Sequence, residues 1–375
     1  TDLPSRGVGD AAASRFAHHL VWPHRRPDTV GSILVAGCGT SQAVRQAVAH
    51  PEARVVAIDV AANSIEHTNE LARRHGVTNL DVHHLAIEDV VDLGEQFDLV
   101  VCTGVLHHLA DPGRGLRCLR DVLAPGGAIK LMVYARYGRT GVYMMQDYCR
   151  RLGVEPTSDE LADLVATLSE LPLGHPLGRL LRETRDFADD DAVADALLNP
   201  RDRAYSVPEL CELIDDAALR FGRWERQAPY LPDCGSVSET PHAARIAAMP
   251  PTEQYAALEL FRGTIARHTA VVFDASDDAS GALDFASGPV AGWIPLRAPT
   301  VVTVQERLPP GVAAALINRA HTDTDLVCFV DRAELDVFEA IDGTRTIADL
   351  GARATAFVER WWRHDLVSID ASEAA

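Results

Sequence analysis

The sequence predicts an α/β protein built on a parallel sheet, and two observations support this. Between residues 33 and 134, short apolar runs alternate with segments of helical periodicity, which implies parallel strands joined by right-handed crossovers. The first run, Ile33-Leu34-Val35-Ala36, stops in Gly37-Cys38-Gly39 before a helical pattern begins. A strand, a glycine turn and a helix in that order bring backbone N–H groups close to a ligand.

Each expected element follows from its local pattern. The strands are apolar runs, expected near 33–36, 54–59, 80–84, 97–102 and 128–134. The helices have apolar residues three and four apart, and are expected near 41–49, 63–75 and 112–123. Ligands bind beyond the carboxyl ends of parallel strands. The residues expected at that edge are Gly37, Asp59, 86–88 and Thr103.

The residues around the glycine turn restrict the kind of ligand. Asp59 ends the second strand about 20 residues after the turn, where a nucleotide fold places an acid on the ribose hydroxyls. An N-cap of the next helix is the alternative role for this carboxylate. Gln42 stands where a dinucleotide loop needs a third small residue, and no Gly-Lys-Ser/Thr follows. We therefore expect a ligand that has a ribose and no phosphate.

Five segments occur in the order and at the spacings of a known family. They are 33–41, Asp59, 96–101, 103–109 and 123–127. Together they resemble the successive motifs of the class I S-adenosylmethionine-dependent methyltransferases, strongly over residues 30 to 134 and more loosely to about residue 274. The resemblance implies a Rossmann-like seven-stranded sheet with an inserted helical cap. It also implies S-adenosylmethionine as cofactor and S-adenosylhomocysteine as product.

The resemblance further implies roles for residues at the cofactor edge. Gly37 and Gly39 would approach the methionine and ribose parts, and Asp59 would hold the ribose diol. Ile87 would pack on adenine, and the backbone around Thr103 would meet the methionine amino group.

One position departs from the family pattern. The family often has Asp where Ala86 stands, so either Glu88 or a backbone oxygen would accept from the adenine amino group. No metal is expected. The full set of residues expected to bind the cofactor is Ala36, Gly37, Cys38, Gly39, Asp59, Val60, Ser64, Ala86, Ile87, Glu88, Thr103 and Gly104.

Composition and charge disfavour several partners. The 375 residues carry a formal net charge of −19, and Lys130 is the only lysine. Such acidity repels polyanions, so we expect neither nucleic acid nor an anionic membrane as partner. The absence of a signal-like apolar core and of a long apolar run predicts a cytoplasmic protein. Seven cysteines without a Cys-x-x-Cys pair predict buried thiols rather than disulfides or a zinc site.

The pattern also predicts how the chain is divided. The capping box Ser206-Val207-Pro208-Glu209 predicts a helix to about Leu219, and strands near 221–227 and 269–274 would close the sheet. Phe16 and Trp22 would either close over the cofactor or anchor the first helix. The expected parts are an N-terminal segment 1–30, a methyltransferase domain 31–274 with cap insertions 135–205 and 228–266, a linker 275–289 and a C-terminal unit 290–375.

The C-terminal unit resembles a second family. The turn 342–347, the residues 364–367 and a closing helix that carries Trp361-Trp362 are similar to winged-helix-like peptide-binding domains related to the peptide chaperone of pyrroloquinoline quinone biosynthesis. This resemblance implies a small α+β domain that recruits a peptide or carrier-bound acceptor. A winged helix of structural purpose is the alternative.

Catalytic candidates follow the fourth strand and line the caps. His107 and His108 lie at the cofactor edge, and imidazole titrates near neutral pH; Tyr137 is the third catalytic candidate. Arg262 and Arg267-His268 would bind a substrate carboxylate or face solvent. For each of these a structural role is the alternative. Further pocket candidates in the caps are Tyr134, Arg136, Tyr143, Gln146, Tyr205, Tyr230 and His242.

These observations favour an enzyme that methylates an oxygen or nitrogen of a small-molecule or peptide acceptor. The alternative is a regulatory protein that senses S-adenosylmethionine and docks a partner through the C-terminal unit. DNA binding by that unit is disfavoured by the acidity of the chain.

Overall fold

The computed structural model describes residues 8–39, 41–183, 187, 190–277 and 282–372. Thr40 of the glycine motif and residues 278–281 of the expected linker lie outside this part of the chain. The centre is a seven-stranded sheet in the order β3-β2-β1-β4-β5-β7-β6, and only β7 runs antiparallel to its neighbours within it. Its strands are β1 (Ser32–Ala36), β2 (Arg54–Asp59), β3 (Leu80–His84), β4 (Phe97–Thr103), β5 (Leu123–Tyr134), β6 (Leu219–Trp224) and β7 (Arg267–Asp274). The predicted sheet is confirmed.

Small differences separate the expected strands from the observed ones. Strand β5 begins at Leu123 rather than near 128, because Leu123 already pairs with Phe97 before the register shifts. Strand β6 ends at Trp224, before the expected 227, because the chain turns away and Gln227 donates to the carbonyl oxygen of Trp362 at 2.7 Å.

Alternation along the strands builds an apolar core on each face of the sheet. In β1, Ile33 and Val35 belong to one cluster, while Leu34 and Ala36 belong to the opposite one. All four side chains are fully buried, as expected for the centre of a parallel sheet covered on both faces. The helices between these strands are α2 (Gln42–Ala49), α3 (Ala62–Arg74), α4 (Pro112–Asp121) and α9 (Val207–Asp216).

Both regions expected to be insertions contain helices, which were predicted for the first of them only. The first forms a subdomain with its own apolar cluster, from α5 (Thr140–Leu152), α6 (Ser158–Ser169), α7 (Gly178–Glu183) and α8 (Asp190–Leu198). Helix α9 then begins at the predicted capping box, where Ser206 N donates to Glu209 Oε2 at 2.8 Å. The second insertion contains α10 (Ala243–Ala247) and α11 (Pro251–Arg262).

The C-terminal unit has two small antiparallel sheets and two helices around a core that includes Trp293 and Trp361. Its winged-helix likeness stays a prediction. The elements are β8 (Ile294–Arg297), β9 (Val301–Val304), β10 (Ala314–Asn318), β11 (Val327–Val330), α12 (Arg332–Ala340), α13 (Ala354–Arg363) and β12 (Val367–Asp370).

The N-terminal helix α1 (Val8–Val21) joins this unit to the rest of the chain. It packs against β12, and Arg15 donates to Asp370 Oδ2 at 2.7 Å. Trp22 is buried in the cluster that includes Ile33, and its indole N–H donates to the carbonyl oxygen of Gly126 at 3.1 Å. Gly126 lies near the amino end of β5, in the irregular stretch between the Leu123 and Ala128 pairs, so Trp22 anchors the amino ends of the strands. The expectation that Trp22 closes over the cofactor is therefore wrong, and Phe16 lies on the helix that packs on β12.

The structure also bears on two predictions from composition, which concern membrane-spanning helices and the state of the cysteines. None of the helices in the described part of the chain is long and apolar enough to cross a membrane. All seven cysteines are free thiols, five of them buried and two partly buried.

Candidate active site

The glycine turn after β1 requires its glycines. Gly37 has φ +77° and Gly39 has φ +52°, in the left-handed region that disfavours other residues. A Cβ on Gly37 would lie 2.2 Å from Val105 Cγ2. Gly37 N donates to the carbonyl oxygen of Ile58 at 2.9 Å, which ties the turn to β2. Val105 therefore packs where a side chain at residue 37 would lie, so the turn forms only with glycine at this position.

Asp59 joins this turn to the next helix. Its Oδ2 accepts from Gly39 N at 3.1 Å, and its Oδ1 accepts from Ala61 N, the residue that caps α3, at 2.8 Å. Its Oδ2 also accepts from Cys38 Sγ at 3.8 Å. A carboxylate has about four acceptor positions, so one remains, on Oδ1, for a hydroxyl donor. Cys38 is buried behind the turn, and burial raises the pKa of its thiol, which stays protonated. Asp59 is not the N-cap of α3, because Ala61 holds that position and no side chain caps the helix. The ribose role of Asp59 stays a prediction.

The other expected cofactor residues lie at the same edge with different exposure. Val60, which precedes α3, is exposed. Ser64, on the first turn of α3, is partly exposed. Ala86 and Glu88 are partly buried in the turn after β3, whereas Ile87 is only 4% exposed and packs into the core.

The end of β4 completes this edge. Gly104 has φ +80°, and its N–H donates to the carbonyl oxygen of Met132 at 3.1 Å. The Thr103 hydroxyl accepts from Gln42 Nε2 at 2.5 Å. Since Gln42 is the first residue of α2, this bond connects the end of β4 to the helix that follows the glycine turn. Sequence reasoning missed this contact of Gln42.

His107 and His108 follow β4 on a single 3₁₀ turn but lie in different environments. His107 is 1% exposed, and its ring centroid lies 4.1 Å from that of Tyr134. Burial, with smaller contributions from the charges of His108, Arg139 and Arg267, lowers the pKa of His107 to about 2. His107 is therefore neutral at physiological pH and cannot act as a proton acceptor there.

His108 is partly exposed and presents one ring nitrogen. Its Nδ1 lies 2.8 Å from the carbonyl oxygen of Arg201, which can only accept. Nδ1 therefore carries the proton, and the lone pair is on Nε2. Asn199 Nδ2 lies 3.3 Å from the same Nδ1, a weaker contact between two donors. Of the two histidines, His108 is the one suited to accept a proton.

Asp202 is a third member of this cluster that sequence reasoning did not single out. Its Oδ2 accepts from Gln146 Nε2 at 2.9 Å, while its Oδ1 is buried without a hydrogen-bond partner among the described residues. Burial raises the pKa of this carboxyl. The Asn-Pro-Arg-Asp-Arg loop that carries Asp202 marks a turn in the sequence but gives no sign that it returns to β4.

One atom from each of His107, His108 and Asp202 lies within 4.8 Å of the others, so the three could hold a divalent ion. Arg139 is fully buried beside them, with its guanidinium carbon 3.5 Å from the ring centroid of Tyr134. Its positive charge lowers the pKa of both His107 and Asp202. That charge disfavours a second cation, so the arrangement is better suited to hydrogen bonding and proton transfer.

Several candidates from the caps have structural contacts instead. The Arg262 side chain is 3% exposed and donates to Asp325 Oδ1 at 3.0 Å, so the expectations that it binds substrate or faces solvent are both wrong. His268 is buried between Tyr230 and Glu259, at 2.8 and 3.0 Å.

Others lie at the surface of the caps. Arg136 pairs with Glu209 at 2.6 Å, and His242 is exposed just before α10. Tyr137, the third catalytic candidate, is 37% exposed.

Tyr143 lies next to Asp202 and Arg139, and burial raises its pKa. Tyr205 is buried, and its carbonyl oxygen contacts His268 Nε2 at 3.1 Å.

A cavity of about 550 Å³ adjoins this edge of the sheet, and we call it the edge cavity. Its floor includes Val101, Thr103, Lys130, Met132 and Thr269, from β4, β5 and β7. Other walls come from Gln42 and Gln46, Arg179 and Leu180, residues 225–226 and 229–230, residues 264–267, and residues 321–323 of the C-terminal unit.

Thr103 and Arg267 connect the edge cavity to the rest of the site. Thr103 is one of the expected cofactor residues, and Arg267 pairs in register with Tyr134, which contacts His107. The volume suits a small-molecule ligand. Among the cap candidates, Tyr230 and Arg267 line this cavity; its wall from the C-terminal unit was not foreseen, because no local motif marks residues 321–323.

Comparison with known proteins bears on the same region. Residues 34–129 match the model of a family described as a methyltransferase domain. Residues 34–129 form a methyltransferase domain of the S-adenosylmethionine-dependent class. The match spans β1 to the middle of β5, which includes the glycine turn, Asp59 and both histidines.

Relatives extend the likeness beyond this methyltransferase domain. An uncharacterised protein of Synechococcus, syc1184_c, is 35% identical over 212 residues, 54% of this chain and 50% of that protein. A ubiquinone biosynthesis O-methyltransferase of Dinoroseobacter shibae is 38% identical over 98 residues, 25% of this chain and 38% of that enzyme. The chain thus spans half or less of the length of these curated relatives.

A solved structure matches almost the whole chain. PKMT2 from Rickettsia typhi superposes with a TM-score of 0.67 at 12% identity, covering 98% of this chain and 77% of that one. At this identity the likeness shows the fold alone: the seven-stranded sheet, the caps and the C-terminal unit are arranged in the same way in another protein.

Proposed function

We propose that this chain transfers a methyl group from S-adenosylmethionine to an oxygen or nitrogen of a small-molecule or peptide acceptor, with release of S-adenosylhomocysteine. The observation that supports this most is that the expected cofactor residues and the edge cavity lie side by side at one edge of the sheet. The glycine turn and Asp59 adjoin the edge cavity through Gln42 and Thr103. His108 lies just beyond the same strand end.

The cofactor edge fits S-adenosylmethionine, which supplies a methyl group activated on a sulfonium. Nothing lies within 4 Å of a Cβ built on Gly39, so the ligand can approach the backbone there. Among the described residues, Oδ1 of Asp59 accepts only from Ala61 N, so it keeps an acceptor position for a ribose hydroxyl. Ala86 and Glu88 would meet the adenine, and the backbone at Thr103 and Gly104 would meet the amino group. Ile87, mostly buried, would offer adenine only a small apolar surface.

The chain's own contribution to the reaction is alignment, exclusion of water and movement of one proton. The acceptor atom would form its bond to the methyl carbon as the carbon–sulfur bond breaks, so the two must be held in line. The acceptor's proton would pass to His108 Nε2, which is oriented by the bond from Nδ1 to the Arg201 carbonyl oxygen. The neighbouring carboxyl of Asp202 would stabilise the imidazolium. A positioned base contributes about 10²- to 10⁴-fold.

The edge cavity favours an enzyme over a sensor of the cofactor. A sensor needs one ligand site, whereas this chain has a second cavity, of about 550 Å³, beside the cofactor edge. The two functions differ in one measurable product. An enzyme accumulates S-adenosylhomocysteine when an acceptor is present, and a sensor does not.

Titration calorimetry of the full chain with S-adenosylmethionine and S-adenosylhomocysteine tests the cofactor assignment. Asp59→Asn removes the charge that would hold the ribose, and we expect it to weaken both ligands about tenfold or more. Glu52→Gln is the matched control, an exposed carboxylate away from the edge. Unchanged affinity in Asp59→Asn would contradict the proposal, as would binding with no S-adenosylhomocysteine formed in small-molecule and peptide fractions of host extract.

A further inference from the structure

We propose that the methylated atom is a hydroxyl oxygen, which binds between His107, His108 and Asp202 and accepts a hydrogen bond from the His107 ring. The inference rests on the proposed function and adds to it the chemical class of the acceptor, an alcohol or a phenol that becomes a methyl ether. It also gives His107, which cannot take up a proton at physiological pH, a direct part in the reaction as a donor.

His107 has polar atoms that no neighbour satisfies. Its side chain is 1% exposed, and neither Nδ1 nor Nε2 has a hydrogen-bond partner within the described part of the chain. The neutral ring has one N–H donor and one nitrogen lone pair. Buried polar atoms in folded proteins are nearly always satisfied by the protein, by water or by a ligand. The His107 ring is therefore suited to bind a polar group that the described residues do not supply.

Two neighbouring side chains converge on the same point. One ligand atom from each of His107, His108 and Asp202 lies within 4.8 Å of the other two. A single oxygen placed between these atoms is at about 3 Å from each, which is hydrogen-bonding distance. Asp202 Oδ1 is also buried and has no partner among the residues that the structure describes. The three side chains thus form a site for one polar atom.

Other contacts hold this site in place. The ring centroid of His107 lies 4.1 Å from that of Tyr134, and the guanidinium carbon of Arg139 lies 3.5 Å from the same Tyr134 ring. Gln146 Nε2 donates at 2.9 Å to Asp202 Oδ2 and at 2.9 Å to a backbone carbonyl oxygen of α8. These contacts orient the side chains before an acceptor binds, so less conformational freedom is lost on binding.

The site can be reached from the edge cavity. Arg267 lines that cavity, and its positive charge contributes to the lowered pKa of His107. Arg267 also pairs in register with Tyr134, whose ring contacts His107. An acceptor whose body lies in the edge cavity can therefore place one polar atom between the two histidines and Asp202.

A hydroxyl group matches the donors and acceptors of this site. Its oxygen has two lone pairs and one hydrogen. One lone pair accepts from the His107 N–H, the hydrogen points to the lone pair on His108 Nε2, and the second lone pair faces the methyl carbon. As the oxygen–carbon bond forms, the proton passes to His108. The sulfur keeps the electron pair of the broken carbon–sulfur bond in S-adenosylhomocysteine.

A nitrogen acceptor does not match this site. A neutral amine has a single lone pair, which must face the methyl carbon, so it cannot also accept from the His107 N–H. An ammonium group has no lone pair at all. The positive charge of Arg139, which acts on both His107 and Asp202, repels an ammonium group and stabilises an oxygen that is losing its proton.

A carboxylate acceptor does not match it either. A carboxylate has only acceptor atoms, so the lone pair on His108 Nε2 would meet no donor. It would also lie next to the Asp202 carboxyl, and two carboxylates in one site oppose each other's ionisation. Water has the same kinds of donor and acceptor as a hydroxyl group, so it is the alternative occupant that the experiment must separate from an acceptor.

The chemical form of the transferred methyl group tests the inference. The full chain is incubated with S-[methyl-¹³C]adenosylmethionine and host extract, and the labelled acceptor is purified. Its ¹³C NMR shift distinguishes a methyl ether from an N-methyl group, and mild alkali releases labelled methanol from a methyl ester only. We expect a methyl ether that keeps its label in alkali. Fragmentation in the mass spectrometer then shows whether the ether is alkyl or aryl.

Variants of His107 test its role as a donor. His107→Phe keeps a flat ring without nitrogens, and we expect kcat with the purified acceptor to fall about tenfold or more. His107→Asn and His107→Gln place an amide N–H near the positions of Nδ1 and Nε2, so one of them should recover part of the rate. Affinity for S-adenosylhomocysteine should stay unchanged, and circular dichroism must show that each variant is folded. His75→Phe, on an exposed residue, is the matched control.

Each outcome decides the inference. A labelled N-methyl group or methyl ester would overturn it and leave the methyltransferase proposal standing. A normal rate in folded His107→Phe would show that water alone occupies the site and would overturn it too. A loss of rate that neither amide variant recovers would assign His107 to packing, with the same consequence. Absence of any labelled acceptor would contradict the proposed function and this inference together.

Discussion

The cofactor edge and the edge cavity lie side by side but are built in different ways. The cofactor edge comes from one continuous stretch, residues 36 to 104, in which glycines at positive φ shape the backbone. The edge cavity is assembled from the sheet, both cap insertions and a loop of the C-terminal unit. A backbone-shaped site accepts one invariant ligand, whereas a site made from distant side chains can change its ligand by changing a few of them.

The largest effect that would sharpen this comparison is expected at Gly37. Gly37→Val drives a side chain into Val105, whose Cγ2 lies 2.2 Å from the position of a Cβ at residue 37, and forces a β-branched residue to φ +77°. We expect cofactor affinity to fall by about 100-fold or more, as measured by calorimetry with S-adenosylhomocysteine. Gly174→Ala is the control, because a Cβ there meets open space. Circular dichroism at the assay temperature must show that both variants are folded; a folded Gly37→Val with normal affinity would contradict the account.

A smaller effect, of about 10²-fold in kcat, is expected from His108→Gln once an acceptor is known. Glutamine can keep a donor toward the Arg201 carbonyl oxygen but has no titratable nitrogen. His75→Gln, on an exposed residue after α3, serves as the control. A chelator should leave the wild-type rate unchanged; loss of the rate would favour a metal at the two histidines and Asp202.

Arg262→Ala tests the junction between the two parts of the chain. The variant leaves Asp325 without its arginine, and because the Asp325 side chain is 30% exposed, water compensates part of the loss. We expect the free energy of unfolding to fall by about 2 kcal/mol in urea denaturation. Arg150→Ala, on an arginine that is 73% exposed, should change it by less than about 0.5 kcal/mol. Equal effects would show that the junction does not depend on this pair.

The smallest effect concerns the dependence of stability on pH. His107 has a pKa of about 2 in the folded protein and an ordinary value near 6.5 when unfolded. The folded state therefore binds fewer protons below pH 6.5, and its stability falls as the pH is lowered. Between pH 7.5 and 5.5 this histidine should contribute about 1 kcal/mol of that loss. Urea midpoints of the wild type and His107→Gln measure it; the same pH dependence in both would contradict the burial of a neutral His107.

The same contrast explains what could be predicted from the sequence. The strands and the glycine turn follow from local patterns, because Ile33 to Ala36 alternate between two buried faces and Gly37 needs a conformation closed to other residues. Local sequence also places His107 and His108 at the end of β4. Local sequence does not show that His107 is buried and His108 partly exposed, because the burial of His107 depends on Tyr134 and on the cap.

The edge cavity could not be predicted because its residues meet only in the folded chain. Arg262 looks like a surface arginine on α11, yet its partner Asp325 lies 63 residues away in the C-terminal unit. Trp22 looks like a lid for the cofactor, yet packing draws it to the opposite end of the strands. Long-range partners of this kind leave no trace in residue spacing.

The central claim is that the two adjoining sites carry out one reaction. The most direct measurement incubates the full chain with S-[methyl-¹³C]adenosylmethionine and host extract and follows the label by mass spectrometry. The account predicts S-adenosylhomocysteine together with an acceptor that is heavier by one labelled methyl in place of a hydrogen, and neither product with Gly37→Val. Tight binding of the cofactor with no labelled acceptor in any fraction would contradict an enzyme and leave a sensor of S-adenosylmethionine.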